Sequence, residues 1–379
     1  MKRKTRYFIV EWVLLWAVTP VWSAWTPGPL IDLGDVTPTA INDNGQIVGY
    51  RELLDAAGNP YKRAVLIDPT GLGNHVDLGA LGGSASEALD INDLGQIVGW
   101  AQTADGQSHA TLFDPAGNID LDPFGQVAAQ TESRASLINN LGHIVQTSSQ
   151  HYSLDPSWLL DPTGQGNNTN LGYRVFDINN TGKASADGTS PINGEVAPFF
   201  IDLTSQQATQ IWPEHEAPPT YYAIHITDQN RVFLEDGLEG AWHWWYDIDT
   251  DGSEPFAGGT YTLPDGTLFR YWNVRTMNDN NQWTGTLSSD HSGFGDRIVA
   301  FSDEGTVYRI GDIMAAYGWR GGPLDMNNHA WWVGTGINPD GETHGFLLIP
   351  EPITAILLIS GILILGRRIR FTRARRHVL

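Results

Sequence analysis

The chain of 379 residues carries 43 Asp and Glu against 22 Lys and Arg and has no cysteine, so disulfides, thiolate nucleophiles and Cys-ligated metals are excluded. Its bases crowd the two ends (Lys2, Arg3, Lys4, Arg6; Arg367, Arg368, Arg370, Arg373, Arg375, Arg376), which leaves twelve against 41 acids over residues 25–350, a middle of about −29. Such a field repels nucleic acid and anionic lipid, which argues against DNA or RNA as a partner.

Residues 1–23 read as a signal peptide: the basic start is followed by the mostly apolar Trp12–Val21, and Val21-Trp22-Ser23 supplies small residues at both ends of a three-residue cleavage site. An uncleaved N-terminal anchor is built from the same parts. In both cases the chain beyond residue 23 is translocated. A single core stops growing beyond about 250–300 residues, so a mature chain of this length needs two domains or a modular design.

A repeated unit decides for the second. Ile41-Asn42-Asp43-Asn44-Gly45-Gln46-Ile47-Val48-Gly49 returns almost unchanged as Ile91-Asn92-Asp93-Leu94-Gly95-Gln96-Ile97-Val98-Gly99, and weaker copies begin at Ile138, Ile178, Ile226, Met277 and Met326. The spacing, between 40 and 51 residues, is that of propellers and repeat arrays. Alternating apolar runs flank each Asn-Asp-x-Gly turn, which predicts a hairpin with the polar residues acting as turn formers. A third run comes next in every unit, from Ala64–Ile67 to Gly345–Ile349, and a shorter fourth succeeds it as Val76–Gly79, Ile119–Leu121, Asn170–Gly172 or Tyr308–Gly311.

Four short antiparallel strands in seven copies predict an all-β, seven-bladed β-propeller over residues 30–349. The last unit stops after its third strand, while Leu30-Ile31-Asp32-Leu33-Gly34 stands ahead of the first unit and matches the missing fourth. The N-terminal strand is therefore expected to complete the last blade and close the ring. A linear β-solenoid is the alternative. With Leu78-Gly79-Ala80-Leu81-Gly82-Gly83 leading to Ile91-Asn92-Asp93 and then His109-Ala110-Thr111-Leu112-Phe113, the unit resembles the HAF-type extracellular repeat. That resemblance implies an extracellular location and supplies no catalytic residues.

Asp247-Ile248-Asp249-Thr250-Asp251-Gly252 is the sharpest local motif, with three carboxylates (Asp247, Asp249, Asp251) at the spacing of a Ca²⁺ loop. Its twelfth position is Gly258 where such a loop has a bidentate Glu, and it falls where other units have the turns Asp68-Pro69, Asp114-Pro115 and Asp161-Pro162. A structural acidic turn and a Ca²⁺ site both stay open. Trp242, Trp244, Trp245, Trp272, Trp283, Trp319, Trp331 and Trp332 are expected to fill the space between blades; a glycan-stacking platform is the alternative.

No nucleophile elbow, His-Glu-x-x-His helix, phosphate loop or dinucleotide turn occurs. His215-Glu216 is followed by Pro218-Pro219, and Asp290, His291 and Ser292 are merely neighbours in sequence. No catalytic residue is assigned.

The tail, residues 350–379, holds Pro350-Glu351-Pro352, the uncharged Ile353–Leu365 and the arginine cluster, an order that places the arginines in the cytoplasm and the acidic domain outside. At 1.5 Å per residue the apolar run covers only about 20 Å, so a transmembrane helix here needs snorkelling arginines and local thinning. Pro350, Glu351, Pro352, the short apolar run and Arg367-Arg368 resemble the PEP-CTERM sorting signal. The resemblance implies exosortase-type machinery as a partner in a Gram-negative bacterium that makes exopolysaccharide, with delivery to the cell surface or matrix. The reading is thus a non-catalytic binding or structural propeller; the alternative is a polysaccharide hydrolase or lyase with its site at the propeller mouth.

Overall fold

Apolar residues alternate on both sides of each Asn-Asp-x-Gly sequence, so each copy can bury one set of side chains only by folding back on itself. In the computed structural model every copy does so. The structure describes residues 27–351 apart from 124, 126–131, 148–154, 193, 212–220, 237–242, 256–260, 264–266, 289–296 and 304–305. The apolar tail segment, Pro352, Arg367, Arg368 and the N-terminal leader lie outside the described residues; among those described, no helix is long and apolar enough to cross a membrane.

Seven antiparallel sheets result. Blade 1 is Thr37–Ile41, Ile47–Leu54, Pro60–Ile67 and Val76–Asp77; blade 2 is Gly82–Ile91, Ile97–Thr103, Ser108–Phe113 and Ile119–Asp120. Blades 3, 4 and 5 begin at Leu137, Arg174 and Tyr221, and blade 6, which carries the extra strand Tyr261–Thr262, has its first full strand at Leu268–Met277. Blade 7 is Arg320–Met326, Trp332–Ile337 and Thr343–Pro350, with Pro27–Gly34 as its fourth strand. Leu30 pairs with Leu348, Ile31 with Leu347 and Asp32 with Phe346, so the predicted closure by the N-terminal strand is what the molecule uses.

The cores lie between blades. Leu33, 1% exposed, packs with Ile41, Ile47 and Val65 of blade 1 and Val333 and Leu347 of blade 7, so the closing strand also fills the seam. Ala88, Ile91 and Ile97 of blade 2 meet Ala40, Val48 and Ala64 of blade 1 in the same manner. Trp245, Trp283, Trp319 and Trp332 are buried, and Trp332 meets Phe301 of blade 6 edge-on with centroids 4.7 Å apart. Trp245, Trp283 and Trp332 thus pack between blades, as expected, whereas Trp319 meets Phe346 of its own blade; Trp242 and the Trp272 side chain lie outside what is described.

One element differs from expectation. The strand-like run Tyr308–Gly311 does not continue as a strand: the strand ends at Arg309 and a helix runs Ile310–Ala316. Ile310, Ile313 and Met314 recur at helical spacing and bury one face, which wins over the local strand preference of Tyr and Ile.

Candidate functional site: the turns around the axis

The first strand of each blade ends in the Asn-Asp turn, and these turns sit within reach of one another around the axis. An asparagine amide has both an acceptor and a donor end, and the turns use both. In blade 2, Asn92 Oδ1 accepts the N–H groups of Leu94 and Gln96 at 3.1 and 2.9 Å, which folds its own turn. Its Nδ2 meanwhile donates 2.9 Å to the Asn139 carbonyl of blade 3. The same bridge runs from Asn42 to Asn92, Asn139 to Asn179, Asn179 to Thr227, Asn278 to Asn327 and Asn327 to Asn42.

The next residue in all seven turns, which follows Asn in six and Thr227 in one, forms a second, complete ring. Backbone N–H groups donate to the next blade's side-chain oxygen from Asp43 to Asp93, Asp93 to Asn140, Asn140 to Asn180, Asn180 to Asp228, Asp228 to Asp279, Asp279 to Asn328 and Asn328 back to Asp43, all within 2.6–2.8 Å. Three of its members are Asn, which separate like charges: Asn328 Nδ2 donates to both Asp43 and Asp279, at 2.9 and 2.8 Å. Gly45, Gly95, Gly142 and Gly182 hold positive φ in these turns, and Asn230, Asn281 and Ala330 take the same conformation at the matching positions.

One layer along the axis, every first strand but the short one of blade 3 has an irregular register just before its last residues. A bulge leaves an amide without a ladder partner. Asp90 Oδ1 accepts Ile91 N–H at 2.8 Å and Oδ2 accepts Ile138 N–H of blade 3 at 2.7 Å. Asp177 serves Ile178 and Ile226 at 2.8 and 3.1 Å, and Asp325 serves its neighbour Met326 and, at 2.9 Å, Ile41 of blade 1. Three carboxylates thus satisfy six of the seven amides at this level. Burial pushes Asp90 up to about 7, with further contributions from Asp325 and Asp177, and it raises Asp325 as well. Asp90 is only partly buried as a residue, but protein surrounds its carboxylate closely, and that crowding makes its charge costly.

In this arrangement both oxygens of Asp90 and of Asp177 accept backbone amides, one from their own blade and one from the next, so these carboxylates tie neighbouring blades together. His225 Nδ1 stands 3.5 Å from Asp177 Oδ2.

The acidic turn of blade 5 sends its three carboxylates to different partners. Asp247 Oδ1 accepts the N–H groups of Asp249 and Thr250, both at 3.0 Å; Asp249 accepts Asn230 Nδ2 at 3.1 Å; Asp251 Oδ1 accepts the Tyr246 hydroxyl at 2.5 Å. Among the described residues, no three His, Asp or Glu are placed to hold a metal ion. Of the sorting residues, Pro350 ends the last strand opposite Pro27, and Glu351 comes directly after it.

Sequence reasoning identifies the bridging asparagines only as turn formers. The signal for more is present: six of seven copies have Asn where Asp or Ser would also make the turn. Nothing in the sequence points to the pairing of Asp90, Asp177 and Asp325 with amides of the following blade.

No protein-family model matches the chain. No curated protein matches it. Among solved structures it is similar to the β-propeller domain of the Trilobed protease from Pyrococcus furiosus (9% identity, 86% of this chain and 93% of that one, TM-score 0.49). It is also similar to YCF48 bound to D1 peptide (12%, 87% and 98%, 0.44). The chain spans 41% of puromycin hydrolase and 63% of TolB from Acinetobacter baumannii, at TM-scores of 0.38 and 0.31. At these identities the likeness concerns the fold alone.

Proposed function

We propose that the chain is an exported protein of the cell surface or extracellular matrix of a Gram-negative bacterium, sorted by exosortase-type machinery, whose propeller binds or scaffolds and does not catalyse. The observation that carries the non-catalytic part is the engagement of the axial carboxylates by amides. Export and sorting are supported by the basic, apolar and small-residue order of residues 1–23 and by Pro350-Glu351-Pro352 ahead of an apolar run and Arg367-Arg368.

Association with exopolysaccharide is supported by two half-buried aromatics on adjacent blades, Tyr50 of blade 1 and Trp100 of blade 2. Lys62 Nζ lies 4.0 Å from the Tyr50 ring centre and the Arg134 guanidinium 5.5 Å from that of Trp100. Glu87 holds the two sets together, accepting from Lys62 at 2.8 Å and from Trp100 Nε1 at 2.9 Å. Rigid aromatic faces beside fixed charges suit sugar rings. The test incubates the purified chain with the host's exopolysaccharide. Retention without cleavage, weakened in Trp100→Ala, is expected; shortened polymer would replace the binding reading by the hydrolase or lyase.

A further inference from the structure

The joint between blades 5 and 6 departs from the pattern of the other six. Thr227 stands where every other turn has Asn, and its hydroxyl accepts the Arg231 N–H at 3.4 Å. With no side-chain amide, Thr227 cannot make the bridge that would reach the Asn278 carbonyl. The bulge amide of Met277 follows Thr276 and faces a blade that offers His225 at this level, so it has no carboxylate of the Asp90 kind. What survives of the pattern is the Asp228 N–H to Asp279 Oδ1 bond at 2.6 Å, which sets two carboxylates against each other. Asp279 is raised by burial first, with Asp228 adding to it.

The ring's other Asp–Asp contact, Asp43 with Asp93, is reinforced. There Thr39 Oγ1 donates to the Ala88 carbonyl at 2.8 Å, Asn44 Nδ2 to the Asp93 carbonyl at 2.7 Å and Lys62 to Glu87 at 2.8 Å. Among the described residues, an apolar cluster stands in that place between blades 5 and 6: Phe233 and Trp245 pack against Leu263, Val274, Trp283 and Leu287. Apolar contact is non-directional and tolerates displacement, whereas a hydrogen bond fixes distance and angle.

We infer that the ring opens between blades 5 and 6, and that the seam closed by the N-terminal strand stays shut. The seam has the opposite character. It combines a strand ladder, the buried Leu33, the Asn327–Asn42 bridge, the Asp325–Ile41 bond and a hydrogen bond from the Tyr317 hydroxyl to the Gly28 carbonyl. Opening at one joint exposes its amides to solvent while the rest of the ring stays protected.

Hydrogen exchange with mass spectrometry on the full chain tests this. Peptides spanning residues 221–236 and 268–288 should exchange about tenfold faster than those spanning 37–54 and 82–103, the factor expected from one missing hydrogen bond. Thr227→Asn should slow the first pair toward the second. Asn92→Thr should transfer the weakness, raising exchange over 82–103 and 137–146 by about the same factor. The inference fails if residues 27–34 exchange first, or if Thr227→Asn leaves 221–236 unchanged. Should Thr227→Asn not fold, an Asn92→Thr protein with wild-type exchange over 82–103 would overturn it equally.

Discussion

At the turn end of the propeller, seven short turns of nearly one sequence lie side by side and each hydrogen-bonds the next. At the loop end the connections between blades share neither length nor sequence, ranging from Asp35-Val36 to residues 121–136 and the helix Ile310–Ala316. The turn end can be repetitive because each unit needs the same two partners on either side. The loop end varies because each connection packs in its own way: the Ala135 N–H donates to the Gly99 carbonyl of blade 2, Val36 enters the core between blades 1 and 7, and the helix buries Ile310, Ile313 and Met314.

Substitutions sharpen or break this contrast. Leu33→Ala, at the seam, should cost about 3 kcal/mol in urea unfolding, since a fully buried leucine loses its packing and leaves a cavity between two blades. Asn92→Ala should cost about 2 kcal/mol, because the turn and the bridge to blade 3 fail together. Gln102→Ala, which loses its contacts with Ser84 away from the turns, should stay within about 0.5 kcal/mol. Equal losses at Asn92 and Gln102 would erase the distinction between the two ends.

Two buried aspartates should register in the pH dependence: Asp90 of the axial layer, and Asp187 on the second strand of blade 4, which lies 3.2 Å from the Arg174 guanidinium. Asp90 and Asp187 are both pushed up to about 7, chiefly by burial, whereas an unfolded aspartate titrates near 3.8. Between those values the native state holds more protons than the unfolded one, so this contribution to stability grows as pH falls from about 7 towards 4 and is lost as pH rises through 7. His75 and His143, lowered mainly by burial, oppose it below about 6.5. Asp68, held near 2 by Thr70, opposes it only below about 4. Calorimetry should show the melting temperature rising by about 2–4 °C from pH 8 to pH 5. Asp90→Asn should flatten that rise while lowering the whole curve. One change should be a gain: Ala330 sits at φ 55°, so Ala330→Gly should add about 1 kcal/mol.

Much of the architecture is legible in the sequence. The period, the hairpin turns and the displaced strand Leu30–Gly34 all express local rules, alternation and turn chemistry, that a short stretch of chain obeys on its own. The helix Ile310–Ala316 is not, because its apolar spacing covers only two turns and overlaps a strand-like run. The site is less legible still. Asp90, Asp177 and Asp325 stand in only three of seven copies, and sequence alone treats them as scatter around a consensus. In the ring each serves its own blade and the next, so three carboxylates cover two amides apiece and a seventh blade is left over.

By itself, the sequence determined that this protein is seven similar β units closed by its own first strand, because pairing within a hairpin and the register of an apolar face are settled by residues a few positions apart. Which atoms bridge the blades, why Asn stands at six turns, and where the ring is weakest were decided only when residues some 50 positions apart came within 3 Å of one another. Hydrogen bonds of that kind depend on the angle between blades, and the packing of large side chains between the sheets sets that angle.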